Sequence, residues 1–176
     1  MKLCICCSSH SDIPKKIYQE SQDLLKEALK KNDLVFGTST EGLMGLAYTI
    51  AKENQKKVIG ICPKGYAYMY SKLNCEEEII TNEMLDSTMK MIQASDAILV
   101  LPGGFGTVYE LFTAIQSKIC EEHNLPIILY NINGYYNQII EFIDKMYEQN
   151  FAKESKNFLV ATTKKEVLEI LTKIEK

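Results

Sequence analysis

Arginine and tryptophan are absent from this chain, and all 20 basic residues are lysine. Without a guanidinium there is no planar fork to grip a phosphate or carboxylate through two parallel bonds. An anion site must therefore use backbone N–H groups, hydroxyls, helix N-termini or lysine. Histidine is scarce, with two residues, and the one C-x-x-C spacing among the six cysteines, Cys4–Cys7, falls inside an apolar run. A zinc site is not expected from such a set. Cys4, Cys6 and Cys7 sit in an apolar run and read as small buried hydrophobes. Basic blocks are missing too, and the formal net charge is −3, so a nucleic-acid polymer is not an expected partner. The opening apolar run, Leu3–Cys7, ends at Ser8-Ser9-His10-Ser11-Asp12. It is too short for a signal peptide or a membrane span. A reduced, cytoplasmic protein without membrane association is the expectation.

What is present is globular. The 176 residues are 46% hydrophobic and 24% charged, which suits one compact domain over 1–176. Short apolar runs alternate with amphipathic stretches throughout. Strands are predicted at Leu3–Cys7, Leu34–Phe36, Val58–Ile61, Ile79–Thr81, Ala97–Leu101, Ile127–Tyr130 and Phe158–Val160. Helices are predicted over Pro14–Lys31, Gly42–Glu53, Asn82–Ala94, Thr107–Glu122, Tyr135–Gln149 and Thr163–Lys173. Thr163-Lys164-Lys165-Glu166 has the form of a capping box. The lysines of the tail, through Lys176, alternate with Glu166, Glu169 and Glu175 and read as a solvated helix face. This βα alternation implies an α/β, Rossmann-like, doubly wound and mostly parallel sheet with helices on both faces. The stretch Cys62–Glu78, with Pro63, Gly65 and three tyrosines, is the least regular. It leaves a lid, a dimer surface and plain packing all open.

In open α/β sheets ligands sit beyond the carboxyl ends of the strands. Three strand-to-helix turns are rich in Gly, Ser or Thr: Ser8-Ser9, Gly37–Gly42 and Pro102–Thr107. The last is the sharpest. Gly103, Gly104 and Gly106 permit positive φ and close backbone approach. A helix starting at Thr107 would offer free N–H groups and a favourable dipole to an anion. A phosphate therefore fits this loop, Phe105 included, without arginine. The pattern is neither the dinucleotide fingerprint nor a P-loop. Glu110 is the candidate carboxylate. Thr107-Val108-Tyr109-Glu110 also fits a capping box, so residue types leave Glu110 open between catalysis and capping. Hydroxyls of the Gly37–Gly42 loop could reach a ligand, and Thr40 could equally cap the next helix. His10 and His123 read as surface or loop residues.

Pro102–Glu110 resembles the P-G-G-x-G-T-x-x-E motif of the LOG ("Lonely Guy") family, cytokinin riboside 5′-monophosphate phosphoribohydrolases often misannotated as lysine decarboxylases. The resemblance spans nearly the whole chain. Cys4–Ser9, Glu41-Gly42-Leu43-Met44-Gly45, Asp96–Leu101 and Asn133-Gly134-Tyr135-Tyr136 resemble further family segments in the right order. It implies a homodimer, no cofactor, and hydrolysis of the N-glycosidic bond of a nucleoside monophosphate such as AMP. Glu110 would be catalytic. Ser8, Ser9, Gly37, Met44, Ser87, Thr88, Met91 and the loop Gly103–Thr107 would surround the substrate. Ser87-Thr88 replaces the family's Arg-Lys pair, and Lys90, one helical turn from Ser87, is the expected partial substitute. Gly37-Thr38-Ser39 stands where the family has a run of glycines, Tyr109 where it often has an acid, and Gln116-Ser117 where it has Thr-Trp. A nucleotide-binding protein without turnover is the alternative. Lysine decarboxylation needs a pyridoxal-phosphate lysine with supporting residues, and nothing in the sequence places one.

Overall fold

The computed structural model describes residues 1–153 and 157–174. Glu175 and Lys176 of the tail lie outside the described residues. In chain order the elements are β1 (Lys2–Cys6), α1 (Lys15–Ala28), β2 (Asp33–Phe36), α2 (Gly42–Glu53), β3 (Val58–Pro63), a 3-10 segment (Lys64–Lys72), β4 (Glu77–Thr81), α3 (Met84–Gln93), β5 (Ala97–Val100), α4 (Phe105–Ile119), β6 (Ile127–Tyr130), α5 (Asn137–Glu148), β7 (Leu159–Ala161) and α6 (Lys164–Ile174). Each predicted strand and helix is present, with its ends shifted by a few residues.

The seven strands form one sheet in the order β4-β3-β2-β1-β5-β6-β7, and every neighbouring pair is parallel. Successive side chains along a strand point to opposite faces, and both faces are covered. On β1, Leu3, Ile5 and Cys7 pack with α1, α2 and α6. Cys4 and Cys6 point the other way, into a layer with Met91 and Ile92 of α3, Leu111 and Ala114 of α4, and Tyr136 at the start of α5. α1 shows how the pattern makes a helix: Ile17, Ser21, Leu24, Leu25 and Ala28 are buried at helical spacing, with charged residues opposite. α6 begins with the expected capping box. Glu166 accepts from the Thr162 and Thr163 amides at 2.7 and 3.1 Å, and its own amide donates to Thr163 Oγ1 at 3.2 Å.

The winding reverses at β1. From β1 to β4 the sheet grows one way; β5 then returns to the other side of β1, pairing Leu3 with Ala97 through Cys6 with Val100. Chain segments leaving β1 and β5 diverge, so a crevice opens at their carboxyl ends.

Two local expectations are corrected. α4 starts at Phe105 with Gly104 as its N-cap, not at Thr107. Glu110 is thus in the second turn, too far along to cap it. Thr40 does not cap α2 either; Glu41 holds that position without a side-chain cap bond. The preceding turn is tied instead by Ser39, whose Oγ accepts from the Glu41 amide at 3.1 Å.

Candidate active site

The crevice holds a cavity of about 490 Å³. Its wall brings together Ser8 and Ser9 after β1, Gly37 and Thr38 after β2, Met44 on α2, Ser87, Thr88 and Met91 on α3, and Gly104, Phe105, Gly106, Thr107 and Glu110 from the β5–α4 turn. Tyr66, Tyr68 and Met69 of the 3-10 segment form another side. The irregular stretch that begins at Cys62 is therefore cavity wall. Tyr70 fixes it to the sheet, its hydroxyl donating to Gly60 O at 2.6 Å and Ile79 O at 3.1 Å. A hollow of about 820 Å³ at the end of α5, beside Asp144, Glu148 and Lys153, lacks this convergence among the described residues.

The N-termini of α2 and α4 both adjoin this region, and they are not equivalent. Ser8 O accepts from the Leu43 and Met44 amides at 2.9 and 3.1 Å, so the start of α2 is used by the protein itself. At α4 the Val108 amide bonds Gly104 O at 3.0 Å. The amides of Phe105, Gly106 and Thr107 precede it and have no carbonyl partner within the helix. They adjoin the cavity, and the helix dipole adds partial positive charge there. Such an arrangement can seat an anion without arginine.

The glycines of this turn do not serve a left-handed backbone; none has positive φ. Gly103 is also not cavity wall, which corrects its expected place. It is buried, and a Cβ there would collide with Thr107 Oγ1 and stand 3.0 Å from Ser8 N. A Cβ at Gly104 or Gly106 would meet nothing within 4 Å, because both face open space. The turn is held from outside by the Asn133–Tyr136 segment. Tyr135 OH donates to Gly103 O and Tyr136 OH to Leu101 O, each at 2.8 Å. In the sequence these tyrosines stand out only through the family resemblance. Their role is to clamp the loop that leaves β5.

Glu110 lies in the buried stripe of α4 with Thr107, Leu111 and Ala114, where helical spacing calls for apolar residues. It is 7% exposed, and its Oε2 has no hydrogen-bond partner. Oε1 lies with Met44 Cε and Met91 Sδ around Gly37; a Cβ there would stand 3.7 to 3.8 Å from all three atoms. Burial raises the carboxyl from 4.5 to about 7, opposed by the nearby Cys6 thiol. That thiol is itself raised well above its ordinary value, first by Cys4 Sγ, 3.8 Å away, and then by burial. The capping reading of Glu110 fails on this geometry. A proton-holding carboxyl with a spare oxygen, beside an anion seat, has the makings of acid–base or electrostatic catalysis.

Thr38 carries a second signal. It is buried with an unpartnered hydroxyl and φ of 61°, a backbone region costly for a β-branched residue. The family-like run of glycines would relax at that position. Ser87 and Thr88 are buried on the cavity wall, with hydroxyls bonded to Glu83 O and Met84 O. Lys90 does not join them. It is exposed on the outer side of α3, near Asp86 and Gln93, and it does not stand in for the missing guanidinium. One turn of helix separates it from Ser87, but the inward arc runs through Thr88 and Met91. His10, a loop residue as expected, also borders the cavity, which its sequence context did not reveal.

A family model described as "Possible lysine decarboxylase" matches residues 44–174. A probable cytokinin riboside 5′-monophosphate phosphoribohydrolase of Oryza sativa subsp. japonica is 37% identical over 97% of this chain and 71% of its own length. A cytokinin riboside 5′-monophosphate phosphoribohydrolase of Arabidopsis thaliana is 36% identical, covering 97% of this chain and 81% of that protein. Among solved structures, the Moco carrier protein of Chlamydomonas reinhardtii shares the fold with a TM-score of 0.71 at 16% identity, covering 99% of this chain and 98% of that one.

Proposed function

This chain belongs to the LOG family, and on that premise we propose that it hydrolyses the N-glycosidic bond of a nucleoside 5′-monophosphate, AMP or a cytokinin-type riboside monophosphate, to free base and ribose 5-phosphate. The observation that carries the reading is the pairing of an open helix N-terminus with a buried carboxyl on the same helix whose Oε2 has no hydrogen-bond partner. The phosphate rests on the amides of Phe105, Gly106 and Thr107. The ribose then extends toward Glu110, while Met44, Met91 and the tyrosines of the 3-10 segment receive the base.

In the reaction the bond from C1′ to the base nitrogen breaks, and its electron pair leaves with the base. Water supplies the hydroxyl at C1′, and its proton is passed on to the departing base. Ionised Glu110 stabilises the positive charge that builds on the ribose and accepts the proton of the attacking water. A carboxyl titrating near 7 can hold and return that proton at neutral pH. Lysine decarboxylation is not supported, since no lysine adjoins the cavity among the described residues.

The test is incubation of purified protein with AMP and other monophosphates, with chromatography for free base. Release of base is expected. No release from any common monophosphate at high protein concentration refutes hydrolysis. The second reading, nucleotide binding without turnover, is favoured by one observation: no lysine or arginine among the described residues adjoins the cavity to take up the missing guanidinium's charge. It predicts thermal stabilisation by AMP without base release.

A further inference from the structure

Among the described residues lining the cavity, His10 alone has a side chain that can carry positive charge. The other ionisable groups there are Glu41 at the start of α2, Glu110 on α4, Cys7 on the same loop as His10, and Tyr66 and Tyr68 on the 3-10 segment; Asp12 follows on the His10 loop. A phosphate entering this cavity brings up to two negative charges into a place whose fixed charges are carboxylates.

The backbone around His10 is firmly held. Ser8 N donates to Pro102 O at 3.1 Å, which ties the end of β1 to the first residue of the glycine-rich turn. Ser8 O takes the Leu43 and Met44 amides, and Ser8 Oγ accepts from the His10 amide at 3.0 Å. Gly42 packs tightly beneath: a Cβ there would approach His10 O to 2.6 Å. His10 is therefore anchored between the turn that leads into α4 and the start of α2. Its imidazole is exposed at the cavity border and free of structural bonds among those described.

We propose that His10 is the charged phosphate contact of this site, supplying from the β1 loop the cation that the chain lacks elsewhere on the cavity wall. The inference rests on the nucleotide-binding reading above, and it does not require turnover. The amides of α4 hold the phosphate by direction; imidazolium adds a charge-assisted bond. The contact adds affinity only while the imidazole carries its proton.

The experiment is calorimetric titration of the full chain with AMP, and separately with adenosine, at pH 5.5, 6.5 and 8. Wild type is compared with His10→Asn and His10→Lys. AMP's own phosphate and Glu110 titrate in this range in all three proteins, so each variant is read against wild type at the same pH. His10→Asn should weaken AMP binding about tenfold at pH 5.5, with the difference fading by pH 8. His10→Lys should bind AMP at pH 8 more tightly than wild type. Adenosine affinity should be the same in all three. If His10→Asn binds AMP like wild type at pH 5.5, or loses adenosine to the same degree, the His10 assignment is overturned while the site stands. If wild type binds no AMP at any pH, the nucleotide reading itself falls, and His10 with it. Binding with the expected His10 pattern but no base release supports His10 and overturns hydrolysis alone.

Discussion

Glu110→Gln keeps the shape of the buried side chain and removes its ionisation, with an amide NH2 in place of one carboxyl oxygen. In the folded protein burial lifts this carboxyl from 4.5 to about 7. The folded state therefore holds the proton more tightly than the unfolded chain, and stability falls as pH rises from about 4.5 to about 7. Below that window both states are protonated and the cost is absent; above it the full cost is present. At 1.36 kcal/mol per pK unit, the ionised carboxylate costs the fold about 3 kcal/mol at pH 8. Glutamine bears no such cost. In a chain of this size 1 kcal/mol moves the melting temperature by about 2–4 °C. Glu110→Gln should thus melt roughly 6–12 °C above wild type at pH 8, by the same conversion, and at the same temperature near pH 4.5. Base release should meanwhile fall at least about 100-fold, the usual contribution of a positioned acid–base group. The assay is a set of melting curves from pH 4.5 to 8 beside a base-release measurement. A variant that melts at or below wild type at pH 8, or keeps its turnover, refutes the account of Glu110 as a destabilised catalytic carboxylate.

Three further substitutions probe the scaffold. Gly104→Val places its side chain in the open cavity, where no atom lies within 4 Å of a Cβ; melting should stay close to wild type while calorimetry shows AMP binding lost, and retained affinity contradicts the phosphate seat. Gly42→Ala meets both a φ of +61° and the Ser8 and His10 carbonyl oxygens at 2.6 to 2.7 Å. It should lose at least about 2 kcal/mol in denaturant unfolding, since left-handed backbone alone costs about 1–2 kcal/mol. Tyr136→Phe strands the buried Leu101 carbonyl. A loss of about 1–2 kcal/mol is expected by the same unfolding measurement, together with weaker AMP binding as the glycine-rich turn loosens.

The alternation of apolar runs and amphipathic stretches made the strands and helices legible, because burial on both faces of a parallel sheet leaves little room for polar residues in a strand. Boundaries were less so: Thr107 looks like a helix start by residue type, yet Gly104 caps α4 because its position after β5 lets the chain turn there. Lys90 illustrates a different gap. Its spacing from Ser87 put it one turn away, but only packing against the sheet tells which arc of α3 faces the cavity. Glu110 could be read as cap or catalyst; its place in the second turn of α4, with Gly104 as the N-cap, removes the cap reading.

Amino-acid order alone determined that this chain folds as alternating β and α units and that any anion must be held without a guanidinium. Those follow from periodicity and composition, which are local properties. Tertiary structure alone decided that β5 returns beside β1, that the α2 amides are consumed by Ser8 while those of α4 stay open, and that His10, Thr38 and Glu110 share one crevice. Buried parallel strands are nearly interchangeable apolar runs, so no stretch of sequence states which of them will be neighbours; only the packing of the whole sheet does.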